Sequence, residues 1–468
     1  MKKYFNKKIG KKEKIHFIGI GGSGMSGIAS VLCDLGYDVS GSDIIDSSTV
    51  KNLEDKGITV KIGHHKKNII GKDILVISSA IDKKNVELKE GLKANIPVIQ
   101  RAQMLAELMR FNYGVAIAGT HGKTTTTSIL VHILCYANFD PTYIIGGKIL
   151  NSKSSSLGSS EYLIAEADES DASFLNLTPN IAVITNIDND HLINHDNSFD
   201  KLKDNFIKFS NNIPFYGKCI INKSDKNISK IEKKILRKKI SFSINTKANY
   251  MVTKIKNNFL SSEFTVKEKK KKYAVTLNIP GFHNVENALA AIATAREMGV
   301  NIKDIQNSIP SFLGIKRRFE LLGEFKIDQN SFYWIDDYGH HPTEILAVYN
   351  SVKEIWPKRK ILVVFQPHRY SRTKDLSKEF IKIFRKIDKL VILDIYAASE
   401  KNKDKIDINE MFKENLSKKN ALHIKGFNNL EKYLLKSIQN EYVLITMGAG
   451  DISKFVLSFK DHKKVIKI

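Results

Sequence analysis

Three α/β domains are what the sequence predicts, and three observations carry that expectation. Apolar runs of strand length alternate with helical stretches along most of the 468 residues, the pattern of parallel sheets covered by helices. Two strand-to-helix junctions are glycine loops, at 19–24 and 119–122. In the last third, four more apolar runs each break into a polar or glycine-rich segment. The expected architecture is a Rossmann-like N-terminal domain at 1–112, a central P-loop-type ATPase domain at 113–316 and a Rossmann-like C-terminal domain at 317–468.

The N-terminal domain opens with KIHFIGIGGSGMSGIASVLCDLGYDVSGSD (Lys14 to Asp43), which reads as strand, glycine loop, amphipathic helix and a second strand ending in an acid. Gly19, Gly21 and Gly24 satisfy GxGxxG, Gly22 and Ser23 lie inside the loop, and Asp43 stands where a dinucleotide fold holds a ribose hydroxyl. Alone this suggests NAD. The geometry serves any nucleotide diphosphate equally, since the loop reads a pyrophosphate and the acid a sugar. Further strands are expected near 74–79 and 98–99.

The central domain begins with VAIAGTHGKTTTTSILVHIL (Val115 to Leu134): a β-branched strand, a loop and a helix. The loop is shorter than the usual P-loop, because Ile117 occupies the place of the first glycine in GxxxxGK[ST]. Gly119, Thr120, His121 and Gly122 are expected to turn backbone N–H groups toward a polyphosphate, with the helix start at Lys123, Thr124 and Thr125 adding free donors and a positive dipole end. Lys123 reaches the β and γ phosphates and the Thr124 hydroxyl suits Mg²⁺.

Two later strands end in acids: EYLIAEADESDASF delivers Glu166, Asp168, Glu169 and Asp171, and IAVITNI runs into Asp188, Asn189, Asp190 and His191. Ligands of open parallel sheets gather at strand carboxyl ends, so these hard donors belong beside the phosphates, where Mg²⁺ bridges ATP oxygens. Residues 223–277 read as small antiparallel strands, with a solvated hairpin turn at Lys269 to Lys272. A helix follows (GFHNVENALAAIATAREMG), whose Asn284 and Asn287 face a nucleotide base or cap the helix.

In the C-terminal domain, FYWIDDYGHHP, ILVVFQPHRYSRT, LVILDIYAASE and YVLITMGAGDI are read as strands of a parallel sheet. Their carboxyl edge carries His340, His341, Arg369 and Arg372. Paired guanidinium groups grip a substrate carboxylate. The two histidines lack a third ligand at suitable spacing for a metal.

Composition sets limits. The net charge of +24 comes from lysines scattered through every segment, not from one arm or stripe, which argues against nucleic acid as a partner. Cys33, Cys135 and Cys219 are far apart in apolar surroundings and are expected to be buried, reduced thiols. The basic start followed by apolar residues imitates a signal peptide, but glycines at 19, 21, 22, 24 and 27 interrupt it. No later run has the length of a membrane span, so a cytoplasmic protein without membrane partners is expected.

These motifs resemble the Mur ligases of peptidoglycan synthesis over essentially the whole chain. The carriers are GIGGSGMSG, GTHGKTTTT, EADESD, DNDH, HNVEN, RRFE, DDYGHHP and QPHRYSRT, and the first and last two narrow the likeness to the alanine-adding branch. The resemblance implies ATP, Mg²⁺, UDP-N-acetylmuramate and L-alanine, in a monomer or homodimer serving cell-wall synthesis and division. It makes the first glycine loop a UDP-sugar site. By the same likeness Lys123, Arg318 and Asp337 match catalytic positions, Thr124, Glu166 and His191 match metal ligands, Asn284 and Asn287 meet the nucleotide, and Tyr338, His340, Arg369 and Arg372 bind alanine. Some members carry a carbamylated lysine; Lys201, Lys203 and Lys208 all lie near its place and none is singled out. The rival readings are a ligase that recycles murein tripeptide, which lacks the GIGGSGMSG start, and an NAD-dependent oxidoreductase, which leaves the Gly-Lys-Thr loop and the arginine edge unused.

Overall fold

A computed structural model describes residues 13–468 apart from 148, 151–152, 191, 197, 399 and 418–419. The chain forms two compact units, one of Met1–Ile255, Glu263–Leu277 and Asn284–Leu313, the other of Lys256–Ser262, Asn278–His283 and Gly314–Ile468.

The first sheet consists of β1 (Lys14–Ile18), β2 (Asp38–Asp43), β3 (Thr59–Ile62), β4 (Ile74–Ile77) and β5 (Val98–Gln100). Its order is β3-β2-β1-β4-β5 and every pairing is parallel. β3 was not among the expected strands; it is four residues long and mostly exposed, so it carries little apolar signal. β1 is central and buried, and the helix Ser23–Asp34 lays Met25, Ile28, Ala29, Val31 and Leu32 into the core. Burying side chains of this size contributes about 1.5–3 kcal/mol each for the larger ones. The glycine loop thus leaves the sheet between β2 and β4, where the chain changes direction of winding.

The second sheet holds β6 (Tyr113–Ala118), β7 (Thr142–Ile144), β8 (Ser155–Ser156), β9 (Tyr162–Glu166), β10 (Ile181–Ile184), β11 (Lys218–Asn222), β12 (Lys238–Ile244), β13 (Tyr250–Asn257), β14 (Ser262–Glu268) and β15 (Lys271–Leu277). They run in the order β15-β14-β13-β12-β11-β10-β6-β9-β7-β8. β6 lies parallel between β9 and β10, with Ile117 opposite Glu166 and Ala118 opposite Ile184. That register brings three carboxyl ends level around the loop at 119–122.

One expectation fails here. β12 and β13 continue the sheet in parallel, Ile220 facing Ile240 and Phe242 facing Tyr250, where antiparallel strands were read. Short apolar runs among lysines fit a strand of either direction, and only the pairing partner decides. The turn between β14 and β15, at Lys269 and Lys270, is exposed as expected.

The third sheet contains β16 (Glu320–Ile327), β17 (Asn330–Asp337), β18 (Lys360–Phe365), β19 (Lys389–Leu393), β20 (Ala421–Ile424), β21 (Tyr442–Met447) and β22 (Val465–Lys467), ordered β20-β19-β18-β21-β17-β16-β22. The four expected strands are parallel, with parallel β20 added at one side; at the other, β16 is antiparallel to β17 and β22 antiparallel to β16. Alternate residues serve opposite faces: Trp334, Leu362 and Leu444 pack into one core, Ile335, Val363 and Ile445 into the other. Asp337 and Phe365 are both level with Met447, so β17, β18 and β21 end together.

The cysteines divide. Cys219 is buried, and burial pushes its thiol up to about 12; Cys33 is half-buried and Cys135 is exposed, against expectation. Cys135 sits in the last turn of a helix whose apolar residues run nearly all round, so the local composition hid its outward direction. No helix among the described residues is long and apolar enough to cross a membrane.

Candidate functional site

The loop after β6 is shaped by backbone. Gly119 has φ +140° and Gly122 φ +80°, and a methyl in place of hydrogen would lie 2.0 Å from Thr185 Oγ1 or 2.2 Å from Asn287 Oδ1. Only glycine meets both demands. The segment after β10 clasps the loop: His121 N–H donates to Asn186 Oδ1 at 2.8 Å, while Thr185 Oγ1 and Asn186 Nδ2 donate to the His121 carbonyl at 2.7 and 2.9 Å. Asp188 N–H donates to Thr120 Oγ1 at 2.9 Å, and Asp188 Oδ2 lies 3.2 Å from His121 Nε2. The helix Lys123–Tyr136 starts directly behind, with Gly122 as its left-handed cap, so the first-turn N–H groups of Lys123, Thr124 and Thr125 have no carbonyl within the helix.

Lys123 is folded into this loop. Its ammonium donates to the Gly119 carbonyl at 2.6 Å and to Glu169 Oε2 at 2.7 Å, with side chains 18% and 1% exposed. Burial works against the Lys123 charge, but Glu169, Asp168 and Glu166 outweigh it and hold the ammonium protonated. Burial pushes the Glu169 carboxyl up to about 7, against the pull of Lys123. Among the described residues Glu169 Oε1 has no hydrogen-bond partner, and the Glu169 carbonyl is anchored by His195 Nε2 at 2.8 Å. The acids at the end of β9 therefore divide their work. Glu166 Oε2 accepts from Thr124 Oγ1 at 3.1 Å and its Oε1 from Gly146 N–H at 2.7 Å. Thr124 and Glu166, two of the three expected metal ligands, are thus brought together with hard oxygens. His191, the third, lies outside the described residues.

Asn284 and Asn287 are buried on the helix Phe282–Glu297. Asn287 Oδ1 accepts from Thr126 Oγ1 at 3.4 Å and abuts Gly122, so this residue belongs to the loop's surroundings. In the first sheet, Gly19 has φ +82°, Gly22 caps the helix and Ser23 begins it. Asp43 commits both oxygens to backbone, Oδ2 to Gly21 N–H at 2.8 Å and Oδ1 to Ile45 N–H at 3.1 Å. Its first task is holding the glycine loop, which a strand-end acid alone does not reveal.

The other unit carries the third-sheet edge. Asp337 is buried at the end of β17 and accepts from Phe319 and Gly339 N–H at 2.6 Å each. Burial raises its carboxyl to about 6, opposed by Arg318 and these donors. The Arg317 and Arg318 guanidinium groups stand 5.4 and 5.2 Å from the Tyr338 ring. Arg317 Nε donates to Asp336 at 2.8 Å, and Arg318 Nη1 lies 3.5 Å from Glu344. From Tyr338 a chain of rings runs through His340 and His368 to Tyr396, with centroids 5.5, 5.7 and 5.6 Å apart. Arg372 is buried, with Nη1 3.3 Å from His368 Nδ1. Arg369 holds φ +70°, costly for any residue with a Cβ, at the start of the short helix Tyr370–Asp375, with its N–H on the Tyr396 carbonyl at 2.8 Å.

Tyr338, His340, Arg369 and Arg372, expected from sequence, lie along this edge together with Arg317 of the RRFE motif and with His368, Tyr396 and Glu344, which the sequence did not single out. His368 lies one residue before a chosen arginine, so its position held a signal; Tyr396 and Glu344 join through the fold alone.

Three family models match: "Mur ligase family, catalytic domain" over residues 14–113, "Mur ligase middle domain" over 117–295 and "Mur ligase, glutamate ligase domain" over 317–450. A UDP-N-acetylmuramate–L-alanine ligase of Psychrobacter sp. (strain PRwf-1) is 44% identical over 452 residues, covering 94% of each chain. One from Vesicomyosocius okutanii subsp. Calyptogena okutanii is 46% identical over 444 residues, with 94% of each covered. Among solved structures, a UDP-N-acetylmuramate–alanine ligase of Thermotoga maritima matches with TM-score 0.80 and 29% identity over 95% of this chain and 98% of that one. A murein peptide ligase of Psychrobacter arcticus shares the fold, with TM-score 0.72 and 24% identity over 96% and 99%.

Proposed function

The chain belongs to the Mur ligase family, and we propose on that premise that it joins L-alanine to the lactyl carboxylate of UDP-N-acetylmuramate with ATP, in peptidoglycan synthesis. One observation carries the substrate assignment: relatives bearing that activity in their names match at 44–46% identity across 94% of both chains. ATP dependence and these small-molecule substrates fit a cytoplasmic enzyme, working as a monomer or homodimer.

A carboxylate is a poor electrophile, so it is first activated. A lactyl oxygen bonds to the γ-phosphorus of ATP as the bond to the β-phosphate oxygen breaks, giving an acyl phosphate and ADP. The alanine amine then attacks the acyl carbon, the bond to the phosphate oxygen breaks, and the amine gives up a proton. Both steps depend on positioning and charge neutralisation. Lys123, held protonated at the loop, exchanges its carbonyl and Glu169 contacts for the transferred phosphoryl oxygens. Of the N–H groups at 119–125, those of Thr120 and His121 are held by Asn186 and the others cradle the phosphates, while Asn284 and Asn287 meet the nucleotide. The hard oxygens of Thr124 and Glu166 fit magnesium, with His191 joining them by family likeness. That ion would supply further neutralisation of phosphate charge.

Gly19, Gly21, Gly22, Ser23, Gly24 and Asp43 hold the UDP-sugar. Arg369 and Arg372 hold the alanine carboxylate, while Tyr338 and His340 bound its small side chain. Arg318 and Asp337 are the catalytic pair on the third sheet. The same reading assigns the UDP-sugar to a domain at 1–112, ATP to one at 113–316 and alanine to one at 317–468.

Phosphate release from purified protein with ATP and Mg²⁺ tests this reading. Release requiring both UDP-N-acetylmuramate and L-alanine is expected. Release with murein tripeptide in place of alanine would move the chain to the recycling ligase, and release with neither acceptor would overturn the reading.

A further inference from the structure

Arg101 takes no part in the scheme above, yet it touches both nucleotide regions of its unit. It begins the helix Arg101–Arg110 directly after β5, and its side chain is 19% exposed. The guanidinium lies over the first turn of the helix that follows the N-terminal glycine loop. A methyl on Gly24 would meet Arg101 Nη1 at 3.0 Å, Cδ at 3.1 Å and Cζ at 3.5 Å. The other terminal nitrogen, Nη2, lies 3.3 Å from Asp168 Oδ2. Asp168 is the residue before Glu169, and its carboxyl is held below the usual carboxylate range: burial works the other way, and Lys123, Ser170 and Arg101 outweigh it.

We infer that Arg101 is a diphosphate-binding residue of the UDP-sugar site, restrained by Asp168 until that substrate arrives. The inference rests on the functional reading given above. The reasoning is competitive. Asp168 is a single carboxylate, 38% exposed, reached by one guanidinium nitrogen at a long 3.3 Å. Such a pair holds weakly. A diphosphate settling at the N-terminal end of Ser23–Asp34 carries more charge, and guanidinium presents a planar fork that matches phosphate oxygens. The absence of a side chain at Gly24 is what lets the fork lie close to that helix turn. When Arg101 turns to the diphosphate, Asp168 loses a cation two residues from Glu166 and one from Glu169. Occupancy of the UDP-sugar site is thereby felt at the carboxylates behind the ATP loop.

A double-mutant cycle on the full chain tests this, with calorimetric binding of UDP-N-acetylmuramate in the absence of ATP. Arg101→Ala is expected to weaken binding at least tenfold. Asp168→Asn keeps the Oδ1 acceptor that Ser170 N–H uses at 3.1 Å, while removing the charge that restrains Arg101. It is expected to tighten binding about threefold, and to have no effect once Arg101 is alanine. A gain of affinity is a result that damage to the fold does not produce. Asp168→Asn binding as wild type or more weakly overturns the restraint, and Arg101→Ala binding as wild type overturns the inference. Wild-type protein that fails to bind UDP-N-acetylmuramate at all overturns the functional reading instead.

Discussion

The loop after β6 and the polar edge of the third sheet both gather chemistry at strand ends, but they are built from different materials. At the loop the decisive contacts are main-chain: two glycines with positive φ, a carbonyl held by Thr185 and Asn186, and a lysine folded against its own loop. At the third-sheet edge they are side-chain: two guanidinium groups over a tyrosine, and four rings in sequence. The difference fits the proposed ligands. A triphosphate looks much the same to every backbone N–H, whereas telling one small amino acid from another needs shaped side-chain walls.

The largest expected effect breaks the loop's chemistry alone. Lys123→Ala should lower turnover by about a thousandfold or more while UDP-N-acetylmuramate still binds, as loss of one charge at a phosphoryl transfer predicts. Phosphate release and calorimetry on the same preparation check it, and turnover near wild type would remove Lys123 from its role. The next tests the other edge through its buried acid. Burial raises the Asp337 carboxyl to about 6 from an ordinary 3.8, so the folded protein binds this proton more tightly than the unfolded chain does. That contribution to stability is fully present below about pH 3.8 and is lost as pH rises through 6. Integrated, it is about 3 kcal/mol at most. Asp337→Asn should therefore gain stability relative to wild type between pH 4 and 7, in denaturant melts at both ends; a constant difference would show the carboxyl is not strained.

Gly122→Ala sharpens the claim that the loop is a backbone device. Positive φ and the 2.2 Å approach to Asn287 should cost about 2 kcal/mol of stability, visible in a thermal melt, and raise the ATP KM in steady-state phosphate release. Arg372→Ala, at the side-chain edge, should leave the melt nearly unchanged. It should raise the alanine KM about tenfold with little change for ATP; equal rises for both substrates would misplace the arginine.

This contrast also explains what could be read beforehand. Glycine positions, Gly-Lys-Thr and strand-ending acids are local demands, so β6, its loop and Glu166 were legible from sequence. The pairing of Lys123 with Glu169 was not, because it depends on how the loop after β9 folds back. Tyr396 reaches His368 only through a bridge between separate strand-end loops, which no spacing encodes. The parallel course of β12 and β13 was lost for the same reason, since their lysine-dotted runs do not name a neighbour. Cys135 shows the opposite limit: in the apolar second half of its helix, Ile129 to Tyr136, nothing local marks which residue faces outward.

The position of β6 between β9 and β10 has a further consequence, in time. A chain leaving the ribosome exposes His121 well before Asn186, which lies 65 residues later, and Thr126 waits for Asn287, 161 residues beyond itself. Contacts so distant in sequence close slowly. The nascent central domain therefore holds its lysine long before it holds the shape that aims it. A half-made chain carries the motif but not the site.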